Sequence, residues 1–151
     1  MRLHADDDGR SKVFIATSEE GRKYGDALSV LISEHSWTET WKELFATNPS
    51  QAPIEILERT QYDYDFAVVL LTPDDLQVSR GKGHFAPRDN LVFELGLFTG
   101  FLRRQRVLWF LPASPPCKIP SDLAGLTHYT FVPAKDPSKS MHSVAQQVRR
   151  F

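Results

Sequence analysis

Glu94 is the residue whose surroundings call for chemistry. It stands in Pro87-Arg88-Asp89-Asn90-Leu91-Val92-Phe93-Glu94-Leu95-Gly96-Leu97-Phe98 and is the one charged residue between Asp89 and Arg103. Wound at ~100° per residue, positions 89–102 carry apolar side chains almost all round, the pattern of a largely buried helix. A carboxylate set among Phe93, Leu97, Phe98 and Phe101 is costly unless it is paired or faces a cavity. Apolar surroundings raise its pKa, and hydrogen bonds to the ionised form lower it. Such a group is either a functional carboxylate or the structural partner of an arginine such as Arg88 or Arg103. Asp89 can cap the helix and suits its positive end. Arg88 could pair with a phosphate near the helix start. Gly96 and Gly100, four apart, leave a smooth strip open to a neighbouring backbone.

Other chemistries find little support. The five histidines are scattered without ligand spacing, so no metal site is predicted. A single cysteine, Cys117, excludes a disulfide within the chain and a cysteine-based zinc site. No base lies near it in sequence, which argues against a nucleophile. Gly81-Lys82-Gly83 lacks the spacing and the Ser/Thr of a phosphate-binding P-loop. Eighteen Lys+Arg against 19 Asp+Glu give a formal charge of −1, unlike the basic face of a dedicated nucleic-acid binder. Arg103-Arg104-Gln105-Arg106 reads as a solvated helix end. No apolar run approaches the ~20 residues of a membrane helix. Asp6, Asp7 and Asp8 interrupt the start of the chain, so no signal peptide is expected there. These features predict a cytoplasmic protein with no nucleic-acid or membrane partner.

The elements that must hold Glu94 follow from the apolar runs. Val13-Phe14-Ile15-Ala16, Phe66 to Leu71 and Val107 to Leu111 are continuous rather than alternating, as in strands buried on both faces. Weaker strands are expected at Ser36 to Trp41 and at His128 to Val132. Helices are expected at Glu19 to Glu34 after Ser18, at Pro53 to Gln61, at Asp89 to Leu102 and at Ser138 to Phe151. Strands alternating with helices predict an α/β fold, a five-stranded parallel sheet with helices on both faces. The flavodoxin-like order 2-1-3-4-5 puts ligands beyond the C-terminal strand ends at the switch point, here Thr17-Ser18 and Thr72-Pro73-Asp74. Two long loops, 47–52 and 74–87, are candidates for function. With 151 residues, one domain is expected, with 1–11 as a tail and 12–151 as the domain.

Here the chain resembles a known family. "APRDNLVFELGLFTGFLRRQRV" at 86–107 looks like the hallmark of bacterial TIR-like nucleotide-binding domains. These include the TIR domain fused to bacterial STING in anti-phage defence. "KVFIATSEEG" at 12–21, "DFAVVLLTPDD" at 65–75 and "IPSDLAGL" at 119–126 resemble further blocks of the family, in order. The resemblance implies a flavodoxin-like TIR fold and an NAD+ glycohydrolase that releases nicotinamide, with NAD+ as substrate and no cofactor. It implies Glu94 as the catalytic residue. It places Thr17, Ser18, Glu19, Arg88, Asp89 and Asn90 around the nucleotide. Trp41 and Phe45 resemble the family's W-x-x-x-F and would flank a base, or pack in the core. It also implies activity on self-assembly into oligomers or filaments through the loop at 44–54. A fused STING-like cyclic-dinucleotide sensor is implied for a longer protein.

Two other readings stay open. One is a non-catalytic TIR assembly module. The other is a nucleoside deoxyribosyltransferase-like enzyme, which also sets a glutamate at a glycosidic bond. A phosphorylated receiver shares the strand order but needs an aspartate where this chain has Thr72-Pro73.

Overall fold

The computed structural model describes residues 9–151. Five strands form one parallel sheet: β1 (Ser11–Thr17), β2 (Ser36–Thr40), β3 (Phe66–Leu70), β6 (Val107–Pro112) and β7 (Tyr129–Phe131). Their spatial order is β2-β1-β3-β6-β7, which is the expected 2-1-3-4-5 when only sheet strands are counted. The register runs Val13 beside Phe66, Ile15 beside Val68, and Val68 beside Leu108. Ser11 already pairs with Ser36, so the end of the segment read as a tail belongs to the sheet. Residues 1–8 of that segment lie outside the described residues.

Side-chain alternation along these strands builds two cores. Phe14, Ala16, Val69 and Trp109 face α2 (Trp41–Thr47), α3 (Pro53–Thr60) and α4 (Asp89–Leu102). Val13, Ile15, Val68 and Phe110 face α1 (Arg22–Ile32) and α5 (Pro137–Arg149). Helices therefore cover both faces, which is why β1, β3 and β6 read as unbroken apolar runs.

Four local expectations are corrected. The segment 74–87 is not an irregular loop but an antiparallel hairpin of β4 (Asp75–Ser79) and β5 (Lys82–Ala86). Its turn places Arg80 at φ 51° and Gly81 at φ 75°, the left-handed pair that tight hairpins require. Trp41 does not end β2 but opens α2, where Thr40 and Glu43 form a capping box. The helix after β1 starts at Arg22 rather than Glu19. Ser18 instead closes the preceding turn, its Oγ accepting from the Gly21 N–H at 3.0 Å. The helix α4 is also less buried than its composition suggests. Leu91, Leu95, Phe98 and Leu102 face the core, but Phe93 is 59% exposed, and nothing within 4 Å would meet a Cβ at Gly96 or Gly100.

Candidate active site

The cleft grows from the loop that follows β1. Thr17 ends the strand, and α1 must turn back over the sheet immediately behind it. Gly25 permits this close crossing: a Cβ there would lie 2.9 Å from Thr17 Cγ2. The loop between them is pinned from within. Ser18 Oγ meets Thr72 Oγ1 at 2.9 Å, and the Thr72 hydroxyl lies 2.7 Å from Asp74 Oδ2, to which it can donate. Ser18 and Thr72 are both buried, so this chain of hydroxyls fixes the end of β1 against the end of β3.

On the outer side the same loop is held by charge. Arg88 pairs with Glu20 and lies 3.5 Å from Asp75 Oδ1. This pairing holds the Glu20 carboxyl below its usual pKa range. The guanidinium thus ties the β1–α1 loop to the hairpin and to the start of α4.

Between these fixings opens a cleft of about 710 Å³. Thr17, Ser18 and Glu19 line it beside β1, Trp41 and Phe45 line it from α2, and Asn90 and Glu94 line it from α4. Seven of the nine residues singled out from the sequence therefore share one cleft. Arg88 and Asp89 are not among its walls. Arg88 is engaged with the two carboxylates just described. Asp89 lies beside the hairpin, 3.5 Å from the Gln77 amide nitrogen.

Among the described residues Glu94 has no arginine partner, neither Arg88 nor Arg103. Instead the Trp41 indole Nε1–H donates to Glu94 Oε2 at 2.7 Å. The indole stacks on Phe45 with ring centroids 4.9 Å apart and meets Phe14 of β1 edge-on at 5.5 Å. Trp41 thereby serves as a wall, a core anchor and a hydrogen-bond donor at once. Burial pushes the Glu94 carboxyl up to about 7, against the pull of the Trp41 hydrogen bond. A carboxylate that titrates near neutrality in a cleft is suited to acid–base or electrostatic work.

Several lining residues escaped the sequence reading. Arg22, Gly25 and Asp26 present one face of α1, and Lys42, Ile54 and Phe93 complete the rim. The spacing i, i+3, i+4 after the β1 loop was the available signal for the α1 face. Among the described residues, no group of three or more His, Cys, Asp or Glu could hold a metal ion. No helix among them is long and apolar enough to cross a membrane.

Comparison with known proteins agrees with this architecture. Residues 12–132 match the family model described as the TIR domain of the CAP12/Pycsar effector protein. The chain is similar to the Pycsar effector protein BcPycTIR of Burkholderia cepacia, 35% identical over 123 residues, covering 80% of this chain and 40% of that protein. It is similar to XpPycTIR of Xanthomonas perforans, 36% identical over 130 residues, covering 84% and 43%. It is similar to CD-NTase-associated protein 12 of Flavobacterium daejeonense, 31% identical over 122 residues, covering 78% and 37%. The chain thus spans about two fifths of the length of these curated relatives. The family match runs from β1 through β7 and takes in every wall of the cleft, and the chain belongs to the TIR-domain family of the CAP12 and Pycsar effector proteins.

Proposed function

We propose that this domain is an NAD+ glycohydrolase and that Glu94 is its catalytic residue. The observation that supports this reading is the placement of Glu94: a half-buried carboxylate, paired with no cation among the described residues, in a cleft walled by aromatic rings and held by one indole N–H. A scaffold gains nothing from a carboxylate kept there against its desolvation cost.

The chemistry suits one acidic group. The nicotinamide of NAD+ is a cationic leaving group. When its bond to the ribose C1′ breaks, the electron pair returns to the ring nitrogen and neutral nicotinamide departs. No general acid is required. Positive charge develops on the ribose, as in other glycosidic cleavages. An ionised Glu94 beside that ribose stabilises the charge and accepts hydrogen bonds from its hydroxyls. Water then adds to C1′ and loses a proton, giving ADP-ribose. Removing a single preorganised group of this kind typically costs ~100–1000-fold in rate.

In the wider protein, the relatives' names point to an effector role. We place this domain as the effector end of a longer anti-phage protein, in which a cyclic-nucleotide sensor controls assembly and NAD+ depletion follows.

The test is nicotinamide release by purified protein. Glu94→Gln is expected to abolish release while the circular-dichroism spectrum and melting behaviour remain those of a folded domain. Release by that variant at the wild-type rate overturns the role of Glu94. Release of free bases from deoxynucleosides, with none from NAD+, would favour the deoxyribosyltransferase-like alternative.

A further inference from the structure

We propose that Lys42 binds the pyrophosphate of the dinucleotide and that this contact makes the cleft select a dinucleotide over a nucleoside. The proposal rests on the NAD-cleaving reading and adds to it the residue that takes the substrate's negative charge.

Five charged side chains line the cleft. Three are acidic, Glu19, Asp26 and Glu94, and two are basic, Arg22 and Lys42. An anionic ligand therefore enters against a formal excess of negative charge. One of the two cations is already occupied, since Arg22 Nη2 lies 2.9 Å from Glu19 Oε1. Arg88, the cation that the sequence placed near a phosphate, is engaged by Glu20 and Asp75 and lines no part of the cleft. Lys42 is different. Its side chain is exposed, and it makes no ion pair or hydrogen bond among the described residues. It is the cleft's one uncommitted cation among them.

Lys42 lines the same cleft as Glu94. Lys42 directly follows Trp41, whose indole holds Glu94. With the scissile C1′ at Glu94, the pyrophosphate lies one ribose away, on the scale of a lysine side chain's reach. An ammonium on a flexible stem suits this task, because it follows phosphate oxygens as a point charge without needing a fixed bidentate geometry. A hydrogen bond between charged groups at such a site is worth roughly tenfold in affinity or more. Nicotinamide riboside and adenosine carry no phosphate and draw nothing from it.

The test compares ligands on one protein. Binding of ADP-ribose and adenosine is measured by calorimetry on wild type, Lys42→Ala and Lys42→Arg. Steady-state cleavage of NAD+ and nicotinamide riboside is measured alongside. Lys42→Ala is expected to weaken ADP-ribose about tenfold and raise KM for NAD+ with little change in kcat. Adenosine binding and nicotinamide riboside cleavage stay at wild-type values, and Lys42→Arg restores most of the loss. Salt screens the Lys42–phosphate contact, so added salt raises the KM of wild type for NAD+ relative to that of Lys42→Ala and narrows the gap between them. Unchanged ADP-ribose affinity in Lys42→Ala, or equal losses for adenosine and ADP-ribose, overturns the assignment while NAD+ cleavage itself stands. A wild-type domain that neither binds ADP-ribose nor cleaves NAD+ overturns the functional reading, and the assignment with it.

Discussion

The Glu94 carboxyl is balanced between two opposing influences, and both can be tested. Burial favours its neutral form, while the Trp41 N–H favours the ionised one, leaving it at about 7. Catalysis by the ionised form should therefore rise with pH through this region and level off above it. Trp41→Phe removes the donor but keeps a ring against Phe14 and Phe45. With the stabilising hydrogen bond gone, the pKa rises further, so the acid limb of the kcat/KM profile moves to higher pH. An unmoved limb would show that another group sets it. The same balance enters stability. The folded-state pKa lies above the ordinary 4.5, so between the two values the native state holds a proton that the unfolded chain has released. This contribution is complete below the ordinary value and is lost as pH rises through about 7. Glu94→Gln escapes the loss. Relative to wild type it should gain on the order of 1–3 kcal/mol at pH 8 and much less at pH 5. Thermal melts at both pH values check this: the gain at pH 8 appears as a melting point higher by several degrees. Equal melting points at both would mean that burial of the carboxylate costs the fold nothing.

At the level of elements, the cleft depends on how the ends of β1 and β3 are joined. Ser18, Thr72 and Asp74 form a continuous hydroxyl-to-carboxylate chain beneath the loop that lines the cleft. Thr72→Val keeps the shape of the side chain and removes its hydrogen bonds, leaving the buried Ser18 hydroxyl one partner short. Stability should fall by about 1–3 kcal/mol, and KM for NAD+ should rise several-fold as the loop loses its fixing. Thr72→Ser should recover KM. A variant that loses stability while KM stays constant would show that the chain supports the fold and not the cleft. The elements differ in how plainly the sequence announces them. β1, β3 and β6 were legible because both faces are covered, so burial alone writes the run. Leu91, Leu95, Phe98 and Leu102 likewise announce α4. The hairpin was hidden because Leu76, Val78 and Phe85 remain largely exposed among Gly, Lys and Asp, the composition of a loop. α2 was hidden because β2 runs into it without a turn residue; the Thr40–Glu43 capping box was the only local signal. Glu94 stands out as the one charge beyond the first turn of an apolar helix, but its partner lies 53 residues away, and no local pattern encodes that contact. The pairing of Arg88 is likewise absent from any local pattern, because its neighbours in space, Glu20 and Asp75, come from two other segments.

Over the whole molecule, the cleft is built but not closed. Phe93 is 59% exposed and Phe45 39% exposed at its rim, and the open strip at Gly96 and Gly100 runs along α4 away from Phe93. An ionised carboxylate stabilises a developing cation most strongly where water is excluded. A lone domain with two aromatic rims in solvent meets that condition poorly. Covering the rim with a second body would dry the cleft and bury both rings. The chain also spans only about two fifths of its curated relatives, and in the longer protein the remaining part is our proposed means of bringing copies together. Turnover should then depend on association. If each active cleft needs a neighbour, specific activity of the isolated domain is expected to be weak at low concentration and to climb steeply as concentration rises. Fusing the domain to an unrelated oligomer should raise activity at a concentration where the unfused domain is nearly silent, and Glu94→Gln should remain inactive in both forms. Nicotinamide release measured over a thousandfold dilution decides the matter. A constant specific activity across that range would mean that one copy closes its own cleft, with the substrate's rings as the only cover for Phe45 and Phe93.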